Sequence, residues 1–419
     1  MEQLFPICRS MTGNGVRNSL RLLRRVAPIE IVEVPSGTEV FDWSVPDEWN
    51  VRDAFVKDST GRRVVDFRVS NLHLVNGSRP VRDTMSWASL RPHLHTLPDQ
   101  PDLVPYKTCF HKDEWGFCLS QAQFDSIENA AKGPYEVVVD TTVGGGSLTY
   151  GEVFLQGETD REVLFSAHIC HPSLANDNLS GICIAALLAK HLAGKPRLRY
   201  SYRFLFAPAT IGAITWLALN QGRLDRIDHG LVLSLLGDRG NSTYKRSRSG
   251  SHAIDQAVEH VLAHSEGDYE IRDFEPFGYD ERQFCSPGID LPMGCLMRTP
   301  SGEFAEYHTS GDNLGFVDPA CLADSYAKCL RVIEIIENDR ILMNRKPHCE
   351  PRLDRFGLYQ SLPSQADARR LQQAVQWVLN LSDGQHSLIE IAARSKMPFA
   401  LVNDAAGRLE AAGLLGNPK

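Results

Sequence analysis

With 419 residues, the chain is long enough for a large core and, at usual domain sizes, for two or three domains. Apolar residues make up 42% and charged residues 23%, as in ordinary globular proteins, and a net charge of −8 argues against nucleic-acid binding through a basic surface. Ten cysteines form no CxxC pair, no apolar run approaches the roughly 20 residues that span a bilayer, and no basic-then-apolar leader opens the chain; we expect reduced thiols, a cytoplasmic location and no membrane partner.

In chain order, the first predicted element is a short amphipathic helix over "VRNSLRLLRRV", residues 16 to 26, behind the turn-like "TGNG". From Val40 to about Val81, β-formers alternate with polar residues and are broken by "VPDE" and "DSTG", which predicts a small antiparallel β unit. A loop-rich stretch follows; its "HLH", His93 to His95, lies among prolines without a nearby acid and reads as a surface feature.

From Tyr135 onward, short apolar runs ("YEVVVD", "GEVFLQG", "EVLFSAH", "RYSYRFLFAP", "GLVLSLLG") alternate with helical patterns such as "SGICIAALLAKHLAG". This alternation predicts an α/β domain with a largely parallel, buried sheet flanked by helices. Past a Pro-marked linker after Glu350, residues 366 to 419 give three short helices, the pattern of a winged helix-turn-helix. That segment has six Lys/Arg against five Asp/Glu, too little positive charge for phosphate contact, so a packing or homo-oligomer role is expected and no nucleic-acid partner.

The densest chemistry is "SAHICHPSLANDNLSG", Ser166 to Gly181. Ligands of open α/β sheets gather beyond the carboxyl ends of the strands. Four acids or histidines fall at such places: His168, Asp177, Asp238 and His308, residue types that suit zinc. Each alone reads as a cap or turn residue; four in order raise a metal site.

"HICHPSLANDNLSG", Gly237–Asp238 and "EYHTSGDNL" resemble the co-catalytic zinc exopeptidases, the clan of aminopeptidases and glutaminyl cyclases. More narrowly, "LFPICRSMTGNGVRNSL", "WGFCLS", "YKRSRSG" and "DERQFCSPGIDLPMG" make nearly the whole chain similar to a bacterial aminopeptidase-like group with an inserted β-domain and a C-terminal winged helix. The resemblance implies an α/β domain in residues 1–39 and 135–355, an inserted β-rich domain in 40–134 and a winged helix-turn-helix in 360–419. It implies His168 and Asp238 as ligands of one metal position, Asp177 as the bridging carboxylate and His308 as ligand of the second. Cys170 stands where the clan has an aspartate that orients a ligand histidine. His171 either joins the site or bonds to backbone.

One departure bears on activity. Where the clan has glutamates acting as general base and ligand, this chain reads "FLFAPATIGAITWL", with Ala209 and Thr210. A positioned base contributes roughly 10²- to 10⁴-fold, so its loss cripples ordinary peptide hydrolysis without removing the metal. One zinc is therefore expected rather than two. Glu306, two residues before His308, and Glu303 are the candidate replacement bases, with a solvated-loop reading beside them. Lys245, Arg246 and Arg248 form a candidate anion clamp, and Asp280, Glu281 and Arg282 a loop that could hold a substrate amino group, the bland alternative being charged turns.

Two functions follow as expectations. One is a zinc-dependent aminopeptidase-like hydrolase acting on an amide of a peptide or small molecule, specialised for a biosynthetic tailoring step (amide hydrolysis, acyl transfer or cyclisation). The other is a catalytically silent metal-binding protein with a binding or assembly role.

Overall fold

The computed structural model describes residues 1–110, 112–130, 133–358 and 365–418. The expected start of the C-terminal domain at residue 360 lies outside them. Contacts divide the chain into one unit of Met1–Gly250 and Glu270–Tyr326 and another of Ser251–Tyr269 and Ala327–Lys419.

The first unit opens with helix α1 (Asn14–Leu23), whose apolar stripe Val16, Leu20 and Leu23 is buried. It starts two residues before the expected helix and ends three earlier, within the usual fraying of helix ends. Strand β1 (Glu30–Pro35) follows. The chain then builds a four-stranded antiparallel sheet from β2 (Glu48–Lys57), β3 (Arg63–Asp66), β4 (Val81–Met85) and, after helix α2 (Gln121–Ala130), β5 (Tyr135–Gly144), in the order β3-β2-β5-β4. The run "YEVVVD" thus lies in the small sheet, where its texture differs from the other strands because both faces are covered. Tyr135, Val137 and Val139 pack with Trp49, Leu90 and Phe117, while Val138 is buried on the opposite side.

The large sheet comprises β1, β6 (Ser147–Leu155), β7 (Glu162–His168), β8 (Ser201–Ala207), β9 (Ile227–Leu233), β10 (Ser242–Lys245), β11 (Tyr269–Arg272) and β12 (Met293–Met297). Its order is β1-β6-β8-β7-β9-β12-β10-β11. The four middle strands, β8, β7, β9 and β12, run parallel; β1, β6 and β10 pair antiparallel at the flanks. Helices α3 (Gly181–Ala193) and α4 (Ile211–Leu219) supply the crossovers. Both are apolar over most of their surface, as coverage of a sheet buried on both faces requires. From β7 the chain crosses to β8 on one side and then to β9 on the other. The carboxyl end of β7 is therefore a topological switch point, where a crevice opens. His168 is its last residue.

In the second unit, β13 (Ile341–Asn344), β14 (Asp383–Ser387) and β15 (Leu415–Gly416) form a three-stranded antiparallel sheet beside α7 (Gln365–Leu381), α8 (Leu388–Ser395) and α9 (Phe399–Ala411). This is the winged helix-turn-helix. A capping box opens α8: the Ser387 hydroxyl accepts from Glu390 N–H, and the Glu390 carboxylate accepts from Ser387 N–H. Helix α5 (Ala253–Ala263) also belongs to this unit. No described helix is long and apolar enough to cross a membrane.

Candidate metal centre

Asp177 is fully buried in the loop joining β7 to α3. Its carboxylate faces three imidazoles. Oδ1 lies 2.8 Å from His168 Nε2, and Oδ2 lies 3.0 Å from His308 Nε2 and 4.0 Å from His171 Nε2. Among the described residues, His168, His171 and Asp177 form a group whose ligand atoms all lie within 4.8 Å of one another, the kind of cluster that could hold a metal ion.

The loop is held by polar residues of its own. Asp312 accepts the backbone N–H groups of Ala175 and Asn176 on Oδ1 (3.1 and 2.6 Å) and of Asp177 on Oδ2 (2.9 Å). Asn178 donates to Leu233 O at 3.0 Å and accepts from Leu235 N–H at 3.2 Å, tying the loop to the end of β9. Asn176 accepts from Gly237 N–H at 2.8 Å. These bonds satisfy buried backbone groups that would otherwise be stranded, and they aim the Asp177 carboxylate inward.

Each ring is held from more than one side. His168 stacks on Tyr279, with centroids 4.8 Å apart and planes 15° apart. His308 stacks on Tyr307 at 4.0 Å, and Tyr106 meets both His171 and His308 edge-on at 5.2 Å. The Cys170 thiol lies 3.6 Å from His171 Nδ1 and accepts the Ala209 N–H at 3.3 Å. Arg9, itself buried, donates to the His171 carbonyl at 2.8 Å.

The electrostatics follow from burial. Burial would raise the Asp177 carboxyl, but His171 and the hydrogen bonds from His168 and His308 outweigh it and hold it well below the usual range. Burial drives the His171 imidazole down to about 3, so it is neutral and able to ligate. The Cys170 thiol is pushed up to about 12 by burial. Burial likewise raises Asp312 and Asp280 to about 7.

The structure thus gathers His168, Asp177 and His308 and adds His171, whose place the sequence left open. Asp238 stands outside the clustered group: its oxygens accept from Asn176 Nδ2 (2.9 Å), Gly240 N–H (2.7 Å) and the Thr299 hydroxyl (2.6 Å) and N–H (3.3 Å). Ala209 lies beside the site through its bond to Cys170, and neither it nor Thr210 brings a carboxylate. Glu306 is half-buried with its stem against Gly311, whereas exposed Glu303 pairs with Arg272 at 2.6 Å. Lys245 pairs with Glu281 and donates to Phe277 O at 2.6 Å. Arg246 pairs with Asp273 and Arg248 with Asp290, at 2.7 and 3.0 Å. Asp280 is 1% exposed with Oδ1 lacking a hydrogen-bond partner among the described residues, and the Arg282 Nε is likewise buried and unpartnered there.

Sequence reading did not single out Tyr279, Asp312, Asn178 or Arg9. Tyr279 and Asp312 sit inside the quoted stretches "FGYDERQF" and "EYHTSGDNL", so attention to each neighbour of a candidate would have reached them.

A family model described as a domain of unknown function (DUF4910) matches residues 1–339, and one described as a winged helix-turn-helix matches 340–417. A protein of Clostridium acetobutylicum described as a "putative polysaccharide biosynthesis protein with aminopeptidase-like domain" is 49% identical over 415 residues, 99% of this chain and 94% of that one. The crystal structure of a "putative peptidase" from Clostridium acetobutylicum shares 48% identity with a TM-score of 0.94, over 99% of this chain and 94% of that one. BSAP, a zinc aminopeptidase from Bacillus subtilis, matches with a TM-score of 0.56 at 13% identity, over 80% of this chain and 91% of that one, a likeness of fold.

Proposed function

Because the chain belongs to the DUF4910 family and has the fold of the zinc aminopeptidases, we propose that it is a zinc-dependent, aminopeptidase-like hydrolase acting on an amide of a peptide or small molecule. The carrying observation is the buried Asp177 carboxylate facing the Nε2 atoms of His168, His308 and His171 at 2.8, 3.0 and 4.0 Å. Ligand atoms around a tetrahedral zinc stand roughly 3.4 Å apart, so this donor set fits the ion. His168, His171, Asp177 and His308 would hold it, and when bound it supplies Lewis acidity toward a carbonyl and a more acidic water. The residues around it orient the rings: Tyr279 and Tyr307 by stacking, Tyr106 by its edge contacts. Asp312 and Asn178 fix the loop that carries the carboxylate. The name of the 49% identical relative supports a biosynthetic step on a polysaccharide or its precursor as the setting.

Ala209 favours a second reading, a binding protein that keeps the metal site without hydrolysis. Elemental mass spectrometry of protein purified without chelator or histidine tag tests the primary reading. We expect about one zinc per chain, lost in Asp177→Ala and His308→Ala. No stoichiometric metal, even after zinc is added back, would overturn it and leave a binding protein without a metal.

A further inference from the structure

The second unit carries an open groove of about 1150 Å³ along helix α7. Residue spacing decides which face of the helix lines it. Leu371, Val375 and Val378 are buried in the unit's own core. That leaves two rows at a spacing of four on the groove side, Arg369–Gln373–Trp377 and Gln372–Gln376–Asn380. Most of the remaining lining comes from the segment Pro347 to Pro351 and from the ends of β13 and β14. Gln376 Nε2 donates to Glu350 Oε1 at 2.7 Å and ties that segment to the helix. No described residue of α9 takes part.

The lining selects a chemical class. Five carboxamides border the groove, those of Asn344, Gln372, Gln373, Gln376 and Asn380. A carboxamide both donates and accepts, which matches the hydroxyl group, itself donor and acceptor at once. Trp377 is 37% exposed and offers an indole face on which the C–H face of a sugar ring can lie. Among the described lining residues, one cation, Arg369, stands against two carboxylates, Glu350 and Asp383. That balance repels phosphate groups and so disfavours a nucleic acid. Pockets for single small molecules measure roughly 300–1,000 Å³, so this groove has room for several linked rings.

We infer that this groove binds a neutral oligosaccharide, with one sugar ring stacked on Trp377 and the hydroxyls of adjoining rings bonded to the carboxamides of α7. An apolar occupant would strip water from those carboxamides and give them no partner in return. The inference uses no residue of the metal centre and goes beyond the hydrolase reading, so either can fail without the other.

The test uses the full chain and three probes, cellotetraose, maltotetraose and the N-acetylated chitotetraose, each titrated by calorimetry. At least one should bind with a dissociation constant below about 1 mM, and equally well at low and high salt, since no counterions are released. Trp377→Ala should weaken that binding at least about 10-fold, whereas Trp377→Phe, which keeps an aromatic face, should stay closer to wild type. Gln372→Ala with Gln373→Ala removes two exposed carboxamides and should weaken it by at least about 3-fold. If Trp377→Ala fails to fold by circular dichroism, the two glutamine substitutions carry the test. Binding of none of the three sugars, or binding that all of these variants leave unchanged, overturns the inference. Salt-sensitive binding of a thymidine dodecamer that the same variants abolish, without sugar binding, would assign the groove to single-stranded nucleic acid instead and overturn it as well.

Discussion

The ring of Tyr279 lies flat against the ring of His168, with centroids 4.8 Å apart and planes within 15°. The two edges of that imidazole are already engaged, Nε2 by Asp177 at 2.8 Å and Nδ1 by the Asn178 amide at 3.3 Å. With a face and both edges fixed, His168 is oriented before any ion arrives. Tyr279→Ala removes the face and leaves a buried cavity. We expect a loss of about 3–5 kcal/mol in urea unfolding together with weaker zinc uptake. Tyr279→Phe keeps the ring and, because the buried Tyr279 hydroxyl has no hydrogen-bond partner among the described residues, should be as stable as wild type or slightly more so. Equal stability for Tyr279→Ala and wild type would show that the ring supports nothing.

Lys245 and Glu281 form an ion pair in which the carboxylate is fully buried and the ammonium nearly so. Removing one partner strands the other in a low-dielectric interior, whereas removing both strands nothing. Lys245→Met should therefore cost about 3–5 kcal/mol, and Lys245→Met with Glu281→Leu should recover most of it. A double-mutant cycle by denaturant unfolding measures this directly. Additive losses would return Lys245 to the role of a free substrate clamp.

That pair also shows where the sequence stopped being legible. The ends of apolar runs located His168 and Asp177 because strand ends and switch points follow from local pattern. The buried strands and winged helix were readable for the same reason. Nothing in "TYKRSRSG" discloses that Lys245 is spent on a glutamate 36 positions away, since long-range pairing leaves no local signature. Tyr135–Gly144 reads as a strand of the large sheet because burial on both faces gives the same apolar texture in either sheet. His171 stayed undecided because "HICH" fixes two imidazoles close in sequence but not which way the second turns. Tertiary contacts from Arg9 and Tyr106 settle that.

Cys170 touches His171 and sits within the centre, which invites a nucleophilic reading. Its thiol is buried and pushed up to about 12, so it stays protonated and poorly nucleophilic near neutral pH. Cys349, by contrast, is exposed. Brief iodoacetamide treatment of native protein, read by peptide mass spectrometry, should alkylate Cys349 and leave Cys170 untouched until the chain is unfolded. Alkylation of Cys170 as fast as Cys349 would put a thiol mechanism through His171 back in contention.

His260 supplies a pH dependence away from the centre. Its Nε2 accepts the Phe399 N–H at 2.9 Å, satisfying an amide at the start of α9 that has no partner within the helix. Burial, assisted by the charge of stacked His264, lowers its imidazole to about 4 against 6.5 in an unfolded chain. Between those values the unfolded chain holds the proton and the folded chain does not, so stability rises with pH. The contribution is complete above about pH 6.5 and is lost as pH falls toward 4, by about 3 kcal/mol in all. His260→Gln can still accept from Phe399 through its amide oxygen but does not titrate. Urea midpoints compared at pH 7.5 and 4.5 should fall in the wild type and fall distinctly less in His260→Gln. Equal pH slopes would mean that His260 keeps its ordinary affinity for a proton and that the Phe399 bond does not form.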